Sequence, residues 1–263
     1  EQLLGDTLIK YCYEWILMAL GFVYWALAGL GITVIGTVLY RLLPKKFSIR
    51  CGRFLLSQAF RFFIGYLKIT HLLILDDSDL KILAKKPGPM IVAPNHIALW
   101  DAVYLIAQIP DLICIMKGAI LRNPFLGGGA LVAGYIPNDS ASQMLISASH
   151  RLKNGAKLLY FPEGTRTKHD AEWLNPFTNG VAVLSKHASA PIIPVFIRSN
   201  SRMFEKGRPL FRKPDFPLRI SLTVGEAIYC PKDEQIEQFS KQLESQYIEE
   251  LAKPHPLRRV QQS

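Results

Sequence analysis

The chain has 263 residues, of which 49% are hydrophobic, and a formal net charge of +10 at pH 7. This length suffices for a full core, and the apolar content is high for a soluble enzyme. Nucleic acid is excluded as the reason for the charge, because the sequence has no zinc-finger spacing, RNP-like aromatic motif or basic zipper helix. The expected partner of the basic surface is an anionic membrane.

An apolar segment near the start of the chain, residues 15–40, contains no charged side chain. It is long enough to cross a hydrocarbon core of about 30 Å. It is too long for a signal peptide, which would also begin with basic residues rather than with Glu1, Asp6 and Glu14. Because four glycines permit a bend, we expect either a spanning helix or a helix that enters one leaflet and returns.

Basic residues follow this apolar segment, whereas only Lys10 precedes it. They are Arg41, Lys45, Lys46, Arg50 and Arg53. The positive-inside rule then predicts that the chain after residue 41 lies on the cytoplasmic side of the inner or plasma membrane.

Residues 51–68 interleave aromatic and basic side chains. This mixture is typical of a helix in the headgroup layer, with its aromatic rings in the membrane and its cations at phosphate level. The alternative is a helix packed on the core of the protein. Either way we divide the chain into membrane-anchoring helices at 1–68 and a second domain at 69–263.

From residue 88 onwards, short apolar runs alternate with helical patterns. Strands are predicted at 90–93, 112–116, 157–161, 192–197 and 220–224, and helices at 99–109, 141–153, 181–188 and 233–251. This order predicts an α/β fold, a mostly parallel sheet flanked by helices, beside the membrane-inserted N-terminal helical segment. The polar tail at 253–263 is expected to be loose. The four cysteines are far apart, and we expect reduced thiols.

A histidine and an aspartate follow the first of these strands, in the stretch Asn95-His96-Ile97-Ala98-Leu99-Trp100-Asp101. With a turn between them, the carboxylate of Asp101 can accept the Nδ1 proton of His96, which leaves Nε2 free to take a proton from a hydroxyl. Taken alone, such a pair is more often structural than catalytic.

A second stretch, Phe161-Pro162-Glu163-Gly164-Thr165-Arg166-Thr167, comes directly after the apolar residues 157–160. Glu163 and Arg166 are expected to project from this loop, where a guanidinium can hold a phosphate through two hydrogen bonds. The alternative is an ordinary ion pair in a loop. Loops at the carboxyl ends of strands are where α/β domains bind ligands, which favours the first interpretation.

Together, the two stretches resemble the glycerophospholipid acyltransferase family typified by lysophosphatidic acid acyltransferases. Residues 190–195 (APIIPV) and 117–129 (KGAILRNPFLGGG) are similar to two further blocks of that family. The resemblance covers about residues 88–225 and identifies 69–263 as an acyltransferase domain. The glycines at 127–129 are not a dinucleotide site, because no strand leads directly into them and no acidic partner lies at the right distance.

The resemblance implies that His96 deprotonates the acceptor hydroxyl while Asp101 fixes its tautomer. The hydroxyl oxygen would attack the thioester of acyl-CoA or acyl carrier protein directly, with no metal and no cofactor besides this co-substrate. The acceptor would be 1-acylglycerol-3-phosphate and the product phosphatidic acid. The substrate-binding residues implied are Glu163, Gly164, Thr165, Arg166 and Lys117. The sequence also contains no G-x-S-x-G nucleophile elbow.

Two positions depart from the family pattern. Ser140 stands where an arginine is expected, and Thr178 where a lysine is expected. Losing two cations weakens an anion site unless Lys117, Arg122 or Lys186 substitutes. Otherwise the acceptor is a different lipid, such as an aminoacyl lipid, a glycolipid or a choline-type lysolipid. The rival functions are a lipid or thioester hydrolase and a non-catalytic lipid-binding protein.

Overall fold

A computed structural model describes residues 2–123, 127–201, 207, 209 and 212–257, with the side chains of residues 2–6 left out. The described helices are α1 (Gln2–Leu42), α2 (Lys45–Ile69), α3 (Ser78–Lys85), α4 (Asp101–Gln108), α5 (Gly118–Leu121), α6 (Gly127–Val132), α7 (Ala141–Lys153), α8 (Gly180–Ala188) and α9 (Ile236–Ala252). The described strands are β1 (Leu73–Asp76), β2 (Met90–Pro94), β3 (Leu112–Met116), β4 (Ile136–Pro137), β5 (Lys157–Leu159), β6 (Ile192–Ser199) and β7 (Leu218–Val224). Residues 124–126 of the predicted 117–129 block, and residues 258–263 of the predicted loose tail, lie outside the described residues.

The strands form one sheet of seven in the order β1-β7-β6-β2-β5-β3-β4. All neighbouring pairs are parallel except β6 and β7, which are antiparallel. Strand β2 lies in the centre and is buried along its whole length. The predicted α/β fold with a mostly parallel sheet is therefore confirmed, and the carboxyl ends of β2, β5, β3 and β4 meet at one edge.

The C-terminal helix α9 is part of the core. Its Tyr247 is fully buried, with its ring 5.0 Å from Phe196 and 4.9 Å from Phe177 between centroids. The Tyr247 hydroxyl donates a hydrogen bond to the carbonyl of Ala93 in β2. This helix thus supports the central strand close to the point where that strand ends.

Helices α1 and α2 form an antiparallel hairpin. The Tyr66 hydroxyl donates to the Leu17 carbonyl, and the Tyr24 hydroxyl donates to the Ala59 carbonyl, each at 2.7 Å. Helix α1 also contacts α6, where the approach is so close that a Cβ on Gly128 would lie 2.2 Å from Oγ1 of Thr33. The division of the chain at residue 68 remains a prediction.

Helix α2 is packed on the core of the protein. Two of the cations expected at phosphate level instead cap neighbouring helices: Nε of Arg53 donates to the Ala133 carbonyl at 2.8 Å, and Nε of Arg61 donates to the Ala107 carbonyl at 2.6 Å. Carbonyl groups at the end of a helix need such donors. These contacts agree with the alternative of a helix packed on the core, while the rings of Phe54 and Phe62 are exposed.

Candidate active site

The turn between β2 and α4 brings His96 and Asp101 into contact. Nδ1 of His96 lies 2.9 Å from Oδ2 of Asp101, and the same oxygen accepts a hydrogen bond of 2.8 Å from the backbone N–H of Ala98. Asp101 is only 1% exposed. Burial raises the pKa of the Asp101 carboxyl, and the hydrogen bond to His96 opposes that rise. The geometry leaves Nε2 of His96 with no partner among the described residues.

Asn95 fixes the start of this turn. Its side chain donates to the carbonyl of Ile197 at 3.0 Å and accepts from the N–H of Ile197 at 2.7 Å. A side-chain amide that completes a backbone pair in this way joins the turn to β6. No role for Asn95 was predicted, since its partner lies 102 residues away.

The Glu163 carboxylate points into the protein. It accepts hydrogen bonds from the backbone N–H of His96 at 2.8 Å, the backbone N–H of Asn175 at 2.7 Å, and the hydroxyl of Thr167 at 2.9 Å. Burial raises the pKa of the Glu163 carboxyl, and the two backbone donors oppose that rise. The expectation that Glu163 projects from its loop was wrong, because only 4% of the residue is exposed. Its three internal donors indicate that it positions the turn.

Thr167 holds the other side of the His96 backbone. Its N–H donates to the carbonyl of His96 at 2.6 Å, while its hydroxyl bonds to Glu163. The loop of residues 161–167 therefore binds both backbone polar groups of His96. Thr167 is part of the predicted motif, but this role was not predicted from the sequence.

Phe161 lies against the imidazole itself. The rings of His96 and Phe161 are stacked, with centroids 3.9 Å apart and an angle of 26° between their planes. The contact follows from the sheet, since each residue comes two positions after the end of its strand, and β2 and β5 are neighbours.

The remaining predicted residues lie at the same edge of the sheet. Gly164 has φ +66°, a conformation that favours glycine, and turns the loop above Thr178. Thr165 and Arg166 follow on the partly exposed side of this loop. Lys117 comes directly after β3 and is exposed, and its ammonium has no ion-pair partner in the part of the chain that the structure describes. A solvent-exposed cation at this edge can contact an anionic ligand.

The two departures from the family pattern have structural roles. The Ser140 hydroxyl caps the first turn of α7 by accepting from the N–H of Gln143 at 3.5 Å. The Thr178 hydroxyl donates to the carbonyl of Pro162 at 3.0 Å and lies 3.1 Å from the hydroxyl of Tyr160. Neither side chain supplies a positive charge.

Two of the three suggested substitutes are engaged elsewhere. Nζ of Lys186 donates to the carbonyl of Glu234 at 2.8 Å, and the Arg122 guanidinium lies 3.5 Å from the Asp139 carboxylate. Lys117 is the one of the three with no such contact among the described residues. Across the described residues there is no group of three or more His, Cys, Asp or Glu side chains that could hold a metal ion.

A family described as Acyltransferase matches residues 80–198 of the chain. A chloroplastic 1-acyl-sn-glycerol-3-phosphate acyltransferase of Brassica napus is 25% identical over 167 residues, which cover 58% of this chain and 48% of the plant protein. The 1-acyl-sn-glycerol-3-phosphate acyltransferase of Saccharomyces cerevisiae is 26% identical over 235 residues, covering 86% of this chain and 74% of the yeast protein. The chain thus spans about half of the length of the plant relative.

The fold also matches a solved structure. The crystal structure of the 1-acyl-sn-glycerophosphate acyltransferase from Thermotoga maritima superposes with a TM-score of 0.64 at 18% identity, covering 95% of this chain and 98% of that one. Motifs, fold and relatives agree, and the resemblance predicted from the sequence is confirmed. Residues 80–198 thus match the Acyltransferase family, and the chain is similar to the 1-acyl-sn-glycerol-3-phosphate acyltransferases.

Proposed function

We propose that the protein transfers a fatty acyl group from a thioester, acyl-CoA or acyl carrier protein, to the hydroxyl of 1-acylglycerol-3-phosphate. The observation that carries the proposal is the pair of His96 and Asp101, whose geometry leaves Nε2 available as a base. Relatives named 1-acyl-sn-glycerol-3-phosphate acyltransferase support the choice of acceptor.

The proposed reaction needs no acyl-enzyme. Nε2 of His96 removes the hydroxyl proton as the acceptor oxygen attacks the thioester carbonyl, and Asp101 stabilises the imidazolium that forms. The tetrahedral intermediate then collapses, the C–S bond breaks, and the leaving thiolate takes the proton from His96. The products are an ester and a free thiol, and the histidine returns to its neutral form.

Lys117 and Arg166 are proposed to hold the acceptor phosphate. Both follow strands that end at the edge where His96 lies, and both are cationic. A charge-assisted hydrogen bond to phosphate is about twice as strong as a neutral one, so two such groups can orient the acceptor beside the base.

The test is acyl transfer by detergent-purified protein with labelled acyl-CoA and acyl carrier protein against lysolipids with and without a phosphate monoester. Transfer to lysophosphatidic acid is expected, and Lys117→Met is expected to raise KM for this acceptor about tenfold or more with little change in kcat. The matched control is Lys186→Met, whose ammonium is engaged by a backbone carbonyl. Transfer only to acceptors lacking the phosphate monoester would contradict the proposed acceptor, and release of free fatty acid without any acceptor would indicate a hydrolase.

The membrane attachment is proposed to be along the length of α1. Among the residues that the structure describes, one helix is long and apolar enough to cross a membrane, which alone is weak evidence. One stripe of α1 is turned to the protein: Glu14 pairs with Lys213 at 2.5 Å, and a Cβ on Gly36 would lie 2.5 Å from Val132. These two contacts lie about 33 Å apart along a helix. Because the helix touches the domain over a bilayer's thickness, it lies along the domain and is not a separate span.

The opposite stripe of α1 is apolar and exposed. The residues of this stripe are all about half exposed or more, and they are Ile16, Leu20, Val23, Leu27, Leu30 and Val34. The exposed Arg41, Lys45 and Lys46 at the tip of the hairpin suit anionic headgroups. We therefore propose that the hairpin lies in one leaflet, on the cytoplasmic side of the membrane.

Charged substitutions on this stripe should release the protein from membranes. Leu27→Lys and Ile16→Lys together are expected to lower binding to anionic vesicles at least tenfold without changing the melting temperature, because both side chains are exposed, at 65% and 60%. The control is Ile146→Lys on α7, where an isoleucine 71% exposed lies outside the hairpin. Vesicle flotation measures the effect, and equal binding by the double variant and the control would contradict the proposed surface.

A further inference from the structure

The aromatic ring of Phe161 covers one face of the His96 imidazole and takes no part in the proton transfer described above. Phe161 lies with its centroid 3.9 Å from that of His96 and its plane inclined by 26°. The imidazole side chain is 17% exposed, so this aromatic ring replaces water over much of one of its faces. We propose that Phe161 is a positioning residue that holds the imidazole against Asp101 and stabilises its protonated form during acyl transfer.

The positioning role follows from the contacts that hold the imidazole of His96 in place. The backbone of His96 is bound on both sides by the loop of residues 161–167, and Nδ1 is bound by Asp101. The hydrogen bond to Asp101 resists rotation of the imidazole about its Cβ–Cγ bond, and packing against a face of the ring opposes the same rotation. A flat ring stacked at 3.9 Å restricts that rotation, which keeps Nε2 aimed at the acceptor.

The electrostatic part follows from the quadrupole of the phenyl ring. A cation within about 6 Å of an aromatic centroid is attracted to the negative face of the ring, more strongly when water is excluded. The imidazole becomes a cation only after it takes the acceptor's proton. Phe161 therefore stabilises the intermediate more than it stabilises the resting enzyme. A group accelerates the chemical step only through such a difference.

Other groups facing the imidazole are acidic. Asp101 contacts Nδ1 from the start of α4, and the Glu163 carboxylate accepts from the His96 backbone N–H on the side of the loop. Both carboxylates also favour the protonated ring. The contribution of Phe161 has to be separated from theirs by changing the ring alone.

The experiment compares Phe161→Leu, which removes the ring but keeps an apolar side chain, with Phe161→Tyr, which keeps the ring. The proposal rests on the proposed acyl transfer, so the wild type is assayed first. We expect kcat of the leucine variant to fall about tenfold with both Michaelis constants nearly unchanged, and the tyrosine variant to retain wild-type kcat within about twofold. The acidic limb of the pH–rate profile should move to lower pH in the leucine variant only.

The matched control is Phe177→Leu. Phe177 lies in the same segment between β5 and α8, and its ring packs edge-on against Tyr247, with centroids 4.9 Å apart. This variant therefore shows the effect of removing a phenylalanine ring that is not stacked on His96. We expect this control to lower the melting temperature and leave kcat intact. Unchanged kcat in Phe161→Leu, equal losses in the leucine and tyrosine variants, or a change confined to KM would each overturn the proposal. Absence of transfer by the wild type would instead refute the proposed function.

Discussion

Asp101→Asn should lower kcat by about 10³- to 10⁴-fold while the protein stays folded and bound to membranes. Oδ2 of Asp101 faces two groups, the Ala98 N–H and Nδ1 of His96. If an asparagine places its NH₂ group where Oδ2 stood, that group donates to Nδ1, which puts the imidazole proton on Nε2, and a protonated Nε2 cannot act as a base. If it places its oxygen there, the hydrogen bond remains but the negative charge that stabilises the imidazolium is lost.

The measurement is single-turnover acyl transfer at saturating acceptor, with circular dichroism and vesicle flotation to show that folding and attachment are intact. Asp79→Asn is a matched control, because the Asp79 carboxylate also accepts a backbone hydrogen bond, from Val224 at 3.0 Å, but lies in α3. If Asp101→Asn kept a rate within tenfold of this control, the pair would be structural and the proposed base would lose its support.

Glu163→Gln should lower kcat by about 10- to 100-fold and leave KM for the acceptor nearly unchanged. The carboxylate serves two backbone N–H groups and the Thr167 hydroxyl, and an amide has only one oxygen for the three donors. At least one buried donor loses its acceptor, which costs about 1–3 kcal/mol in stability. The displaced N–H belongs either to His96 itself or to Asn175 beside it, so the base shifts from its productive position.

Steady-state kinetics and thermal unfolding check this prediction together. Glu244→Gln is the control, since the Glu244 carboxylate accepts one backbone hydrogen bond, from Phe177 at 2.7 Å. A rise in KM for the acceptor at constant kcat would show that Glu163 contacts the substrate, as the family resemblance implies, and would contradict the positioning role.

Sequence patterns predicted best those helices and strands whose pattern of apolar residues lies within the element itself. Strand β3 and helix α7 begin and end at the predicted residues, because an unbroken apolar run and an amphipathic pattern with a serine cap define them. Strand β1 was missed, since a four-residue strand at the edge needs β7 beside it to form. Helix α6 begins with three glycines, which disfavour helices, and it forms against α1.

The sequence predicted which residues form the candidate site, but it did not predict the orientations of their side chains. The motif identified Glu163 as important, whereas its inward orientation depends on donors at His96 and Asn175, which are 67 and 12 residues away. The same holds for Arg53, whose partner is 80 residues away. Pairings at such separations are set by the tertiary fold, and a single sequence carries no local pattern for them.

The position of β7 in the sheet has a consequence for the order of events during synthesis. Strand β7 pairs with β1 on one side and with β6 on the other, so the sheet cannot be completed before residue 218 has left the ribosome. Helix α1 ends at residue 42, which is 176 residues earlier. At about 5–20 residues per second, the apolar helix is available to a membrane for roughly 9–35 s before the sheet can close. The enzyme is therefore expected to attach first and to fold at the bilayer surface, and chains that terminate before β7 should remain attached without becoming active.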